Sequence, residues 1–117
     1  MNSRAKALLA ARAAEEKKAK DVVVLDIQHL SPLCDFFVIA SGSSRIQVKA
    51  IAEIVEQRLA EAGFFLVHRE GQKDAGWILL DYGDVVIHVF SEERRAFYDL
   101  ERLWGDARRV ETGTGQS

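Results

Sequence analysis

The stretch GWILLDYGDVVIHVF, residues 76–90, constrains the fold more than any other part of this 117-residue chain. Two runs of aliphatic residues flank Tyr82-Gly83. A glycine between two such runs marks a β-hairpin, because it supplies the positive φ that a tight turn needs. With Tyr82 and Gly83 as the central turn residues, Asp81 faces Asp84, Leu80 faces Val85, Leu79 faces Val86, Ile78 faces Ile87 and Trp77 faces His88. Side chains alternate along a strand. Ile78, Leu80, Val85, Ile87 and Val89 therefore make one wholly aliphatic face, which is the expected core face. The other carries Trp77, Leu79, Asp81, Asp84, Val86 and His88, with Phe90 beyond.

That second face is too apolar for a solvated surface. It is also too acidic for a core, where unpaired carboxylates are costly. Two readings fit it. A helix covers the Trp/Leu/Val part and the acids lie beyond the sheet edge, or the face is a docking patch with an apolar centre and an acidic rim. The docking patch is favoured, since a buried tryptophan can contribute ~2–4 kcal/mol to an interface. The charge pattern points to a basic protein partner. Residues 1–20 hold six bases against two acids, a local +4, whereas residues 21–90 hold five bases against ten acids, a local −5. Over the whole chain 18 acids nearly balance 16 bases, which argues against phosphate-driven binding of bare nucleic acid. Little or no direct nucleic-acid contact is expected.

The remaining sequence reads as one α/β domain. Residues 4–19 are helix formers, with Leu8 and Leu9 the only large apolar side chains, so this helix is expected to pack weakly. DVVVLDI (21–27) is a strand, LSPLCD (30–35) a connection, and FFVIAS (36–41) a strand buried on both faces. Ser44 caps a second helix, with Gln47 completing a capping box. Val48, Ile51, Ala52, Val55, Leu59 and Ala62 form its apolar stripe and Gly63 its stop. FFLVHRE (64–70) is a short strand. After the hairpin, Ser91 caps a helix with Phe97, Leu100, Leu103 and Trp104 as its stripe. The order implies a mixed sheet flanked by helices: a crossover helix gives a parallel pair and the hairpin an antiparallel pair. The divisions expected are a helix over 1–20, the α/β domain over 21–104 and a disordered tail over 105–117.

Candidate chemistry is sparse. SGSSR (41–45) follows a strand and opens a helix, but its spacing matches neither a dinucleotide fingerprint nor a P-loop. A Gly-Ser at such a turn suits a nucleotidyltransferase, which also needs two carboxylates alternating on a nearby strand to hold metal. No such pair occurs in these strands, and Asp81 and Asp84 diverge across a turn. Cys34, the single cysteine, fits a reducing compartment and reads as inert filling. Three scattered histidines give no metal-ligand spacing. His88 reads as a surface hydrogen-bonding residue and Asp35 as a cap on the preceding turn. No catalytic residue, cofactor or metal is expected. No apolar run is long enough for a membrane span. The basic, Ala-rich start suits an organellar presequence, but Glu15-Glu16 and the Lys/Ala pattern read better as an ordinary first helix, so a cytoplasmic protein is expected, with an organellar one the minor alternative.

DVVVLDI, CDFFVIASGSS, VKAIAEIVEQRLAEAG, Glu70-Gly71, WILLDYGDVVIHVF and EERRAFYDLERLW follow one another from Asp21 to Trp104. In that order and spacing the chain resembles the ribosomal silencing factors, the RsfS or Iojap family. The resemblance implies a nucleotidyltransferase-like fold without its catalytic carboxylates. It implies a factor that binds the large ribosomal subunit through large-subunit ribosomal protein fourteen, blocks joining of the small subunit and lowers translation. It also implies a homodimer in the free state. By motif position the docking surface falls on Trp77, Leu79, Asp81, Tyr82, Asp84, Val86 and His88, with Glu70 at the rim. Family members usually carry an arginine at the position of Ile46, and here Arg45 precedes it. The alternatives are a nucleotide-binding or nucleotidyltransferase-type enzyme, which would bind nucleotide and metal near Ser43 and Ser44, and a plain homodimerisation module using the Trp77 face.

Overall fold

Helix α1, Ser3–Glu16, begins where the Asn2 side chain accepts a hydrogen bond from the Ala5 backbone N–H at 2.8 Å. The chain is described by a computed structural model over residues 2–71, 76–93 and 108–110. The weak packing expected of α1 is not found. Ala7, Ala10, Ala11, Ala13 and Ala14 are each at most 1% exposed and belong to the main core. Alanine buries its whole side chain at no rotamer cost, and a face of alanines lets helices approach closely. Counting large apolar residues undervalues such a face. The first helix is therefore part of the α/β core rather than an appendage to it.

Lys18 and Asp21, with φ of 61° and 52°, carry the chain from α1 into strand β1, Lys20–Asp26. Strand β2 is Phe36–Gly42, helix α2 Arg45–Glu61, strand β3 His68–Glu70, strand β4 Trp77–Asp81, strand β5 Val85–Ser91 and strand β6 Arg108–Arg109. The sheet order is β3-β4-β5-β2-β1-β6. β2 and β5 run parallel and the other pairs antiparallel, so the sheet is mixed, as the sequence implies. The apolar run of β2 takes a central place, and its residues are buried except Phe37, which is half-buried.

The capping of α2 follows its sequence. Ser44 Oγ accepts from the Gln47 N–H at 3.1 Å, while the Gln47 side-chain oxygen accepts from the backbone N–H and hydroxyl of Ser43. The Gln47 amide also donates to the carbonyls of Lys17 and Lys18, both at 3.0 Å, tying α2 to the end of α1. At the other end Gly63, with φ of 92°, donates to Ala60 O and Phe64 N–H to Leu59 O, a Schellman stop. Val48, Ile51, Ala52, Val55 and Leu59 are buried as expected. Ile54 joins them, and Ala62 is the exposed C-cap.

Four features differ from the sequence reading. β3 starts at His68 rather than 64: Phe64 and Leu66 pack on the core, while Phe65 and Val67 are 84% and 69% exposed. The hairpin turns at Gly83-Asp84 instead of Tyr82-Gly83. Tyr82 N–H donates to Val85 O, so Asp81 pairs with Val86, Leu79 with His88 and Trp77 with Phe90. The cause is the Tyr82 ring, which continues the core-facing series Ile78, Leu80, Tyr82 and is 5% exposed. Burying an aromatic ring outweighs placing it in a turn. Third, residues 108–110 are not tail: Arg109 and Arg108 pair with Leu25 and Asp26, and buried Val110 donates to Val24 O at 2.8 Å. Fourth, Asp35 does not cap the preceding turn. Its carboxylate accepts from the Ser3 hydroxyl at 2.9 Å, and its N–H donates to Asp84 O. The helix opened at Ser91 is described as far as Glu93; its stripe from Phe97 to Trp104 lies outside the described residues.

Candidate docking face

The register places three cross-strand rows on one face of the sheet. Trp77, Phe90 and Ser41 form the first. Glu70, Leu79, His88, Ile39 and Val23 form the second, and His68, Asp81, Val86, Phe37 and Leu25 the third. The opposite face carries Ile78, Leu80, Val85, Ile87 and Val89, packed with α1 and α2. The hairpin slip is two residues, and side chains alternate with period two. Each side chain of β4 and β5 therefore stays on the face that strand alternation gave it.

Burial divides the Trp77 face. Val23, Leu25, Ile27, Ile39 and Phe90 form a second buried cluster, with Phe37, Trp77 and Val86 packed partly buried against it. Trp77, Leu79, Asp81, Val86 and Phe37 are each half-buried, and His68 and Glu70 are exposed on the edge strand beside them. Glu70 stands directly across from Leu79, and its carboxylate accepts from His68 Nε2 at 2.9 Å when that nitrogen carries the proton. The result is an apolar band of Trp77, Leu79, Val86 and Phe37, with Glu70 and Asp81 along one side.

Two residues assigned to this face by motif position lie elsewhere. Tyr82 points to the helix side and is buried there; burial pushes its hydroxyl up to about 12, with the Glu56 charge adding to the effect. Asp84 sits in the turn, and its carboxylate reaches back to Lys6 of α1 at 2.6 Å. A third, His88, is on the expected face but is not a surface residue, being 8% exposed. Sequence reasoning missed Phe37 and His68. A strand reading as buried on both faces gives no sign of which side Phe37 takes, and the β2–β5 register decides it.

His88 is the most constrained polar group on the face. Its ring lies nearly parallel to Phe90 (6.0 Å, 3°) and to Trp77 (6.4 Å, 15°), with Phe37 edge-on at 5.1 Å. Trp77 Nε1–H donates to His88 Nδ1 at 3.4 Å, and His88 Nε2 has no partner among the described residues. Burial drives the imidazole well below its ordinary value, to about 4, so the ring is neutral near pH 7.

Other candidates are structural. Cys34 is buried and its thiol donates to the carbonyls of Phe36 and Asp84, at 3.2 and 3.4 Å; burial pushes its pKa up. Gly42 ends β2 where an added Cβ would lie 3.0 Å from the Val48 nitrogen, so its absent side chain serves the strand-to-helix packing. Arg45 and Ile46 begin α2 with exposed side chains, Ile46 at 82%. Among the described residues no group of three or more His, Cys, Asp or Glu is placed to hold a metal ion, and no helix is long and apolar enough to cross a membrane.

All 117 residues match the family model described as ribosomal silencing factor during starvation. The chain belongs to the RsfS family. Ribosomal silencing factor RsfS of Halalkalibacterium halodurans is 47% identical over 103 residues, 88% of each protein. That of Bacillus subtilis is 42% identical over 107 residues, covering 92% of this chain and 91% of the relative. The chloroplastic protein Iojap of Zea mays is 40% identical over 101 residues, 86% of this chain and 44% of that protein. A crystal structure of a Chromobacterium violaceum protein superposes with a TM-score of 0.87 at 39% identity, covering 98% of this chain and 95% of that one. The bacterial relatives carry the name of silencing factors rather than of enzymes. In this RsfS-family chain the expected α/β architecture is shared with solved relatives, and the half-buried Trp77 band is a feature of its sheet.

Proposed function

We propose that this RsfS-family domain represses translation by binding the large ribosomal subunit through large-subunit ribosomal protein fourteen, so that the small subunit cannot join. The mechanism is steric and makes or breaks no covalent bond. The observation that carries the reading is the half-buried band of Trp77, Leu79, Val86 and Phe37 beside the carboxylates of Glu70 and Asp81. An apolar centre supplies affinity when water leaves it, and the carboxylates steer a basic partner into register. His88 lies beneath this band rather than on its surface. The names of the relatives support ribosome association; a cytoplasmic location goes with this reading, and the chloroplastic Iojap relatives support the organellar alternative. In the free state the same band would serve a homodimer, because an apolar patch that suits a partner also suits its own copy.

The test is sedimentation of the purified protein with separated ribosomal subunits, wild type against Trp77→Ala. Wild type is expected to pellet with large subunits alone. The folded variant is expected to stay in the supernatant, since loss of a central tryptophan costs ~2–4 kcal/mol of binding. Wild type that fails to pellet at micromolar concentration would overturn the reading.

A further inference from the structure

We propose that His88 is a positioning residue: its Nδ1 holds the Trp77 indole in the orientation that the docking face presents. The inference rests on the docking role proposed above, and its first readout needs no partner.

The geometry follows from the strands. Leu79 pairs with His88, so Trp77 is the diagonal neighbour of His88 on the adjacent strand, within reach of an aromatic side chain. The indole N–H can only donate. The Trp77 Nε1 to His88 Nδ1 contact therefore requires Nδ1 to carry a lone pair, which puts the imidazole hydrogen on Nε2. A neutral ring meets that requirement, and burial keeps it neutral. Phe90 stacked alongside and Phe37 edge-on pack against the imidazole, which is 8% exposed. Nδ1 is thus an acceptor in place for the indole N–H, and the two rings lie nearly parallel, at 15°.

The cost of this arrangement is visible at the other nitrogen. Nε2 is buried without a partner among the described residues, a state that lowers stability and that phenylalanine or leucine would avoid. A histidine here gives up packing stability, and what it supplies in exchange is the acceptor for the indole. A half-buried tryptophan held in its bound orientation loses less freedom on docking than one that must be ordered by the partner.

The experiment compares His88→Phe and His88→Asn with wild type, all on a Trp104→Phe background so that Trp77 is the single tryptophan, excited at about 295 nm to leave the two tyrosines silent. Phenylalanine keeps the ring and removes the acceptor. The asparagine side-chain oxygen falls close to where Nδ1 stood. Thermal melts establish folding, acrylamide quenching reads the freedom and exposure of the Trp77 indole, and titration with large subunits reads affinity. We expect His88→Phe to melt no lower than wild type, yet to quench more readily and bind about fivefold more weakly, the worth of one neutral hydrogen bond. His88→Asn should restore both readouts. A purely structural role predicts that quenching and binding follow melting temperature instead. Wild-type quenching and affinity in a folded His88→Phe would overturn the proposal, as would a folded His88→Asn as defective as His88→Phe. Should His88→Phe fail to fold, replacing Trp77 by 3-benzothienylalanine, which keeps the bicyclic ring without the N–H, decides the matter: undiminished binding overturns the proposal and weakened binding supports it. If wild type binds no subunits, the docking role fails, while the quenching comparison still decides whether His88 holds the indole.

Discussion

Lys6 Nζ lies 2.6 Å from Asp84 Oδ1, joining the first helix to the hairpin turn across 78 positions of sequence. The same ammonium sits 4.7 Å from the centre of the Phe64 ring. Lys6 is 12% exposed at its side chain and Asp84 40%, so the pair is partly shielded from water. Asp84 O also accepts from the N–H groups of Asp35 and Phe36, which fixes the turn against the start of β2. Lys6→Met should therefore cost about 1 kcal/mol. For a domain near this size that lowers the melting temperature by roughly 4–8 °C. The Lys6→Met, Asp84→Asn double variant should lose less than the sum of the two singles. Additive losses in calorimetry would show that the pair contributes nothing of its own.

Gly71 has φ of 119°, and a Cβ there would stand 2.6 Å from Trp77 O and 2.7 Å from Ile78 Cα. Both neighbours are backbone at the start of β4, so neither can move aside alone. Gly71→Ala should cost at least ~2 kcal/mol from strain and displacement together. Because the displaced backbone is that of Trp77, large-subunit binding should fall further than stability alone accounts for. A variant with wild-type denaturation midpoint would refute this.

Acidification should weaken the fold through His88. Its folded-state value is about 4 against an ordinary 6.5, so the unfolded chain takes up a proton first as pH falls. Stability due to this group is then lost between about pH 6.5 and 4, by up to about 1.4 kcal/mol per pH unit, and levels off below. Above that window the group adds no pH dependence. Urea midpoints measured across this range should fall more steeply for wild type than for His88→Phe. Equal slopes would exclude a neutral buried imidazole in the native state.

Glu70 and Asp81 lie at the edge of the apolar band, and Glu70 is exposed. Glu70→Gln combined with Asp81→Asn should slow association with large subunits by about three- to tenfold at low salt, with a smaller effect on dissociation. The deficit should shrink as ionic strength rises, since exposed charges are screened over about 10 Å at 0.1 M salt. A deficit that is independent of salt would place the two carboxylates in direct, desolvated contacts instead of a steering role.

What was legible in the sequence is what depends on neighbours along the chain. Ser44 and Gly63 bound α2 because caps and left-handed stops are chemistry of a few consecutive residues. The faces of β4 and β5 were legible because alternation has period two, and a slip of two positions leaves it intact. Other features were decided by packing between distant segments. Tyr82 left the turn because the core had room for its ring, and Asp84 left the rim because Lys6 lies nearby only after α1 folds onto the sheet. Arg108 and Arg109 pair with β1, a partnership no local pattern announces. The sequence by itself determined the two faces of the hairpin and the apolar, acid-edged character of one of them. Only the tertiary structure decided that Phe37 joins that face, that Tyr82 and Asp84 do not, and that His88 lies buried under Trp77. Register and burial are set by contacts between residues far apart in sequence, and these exist only once the sheet has assembled.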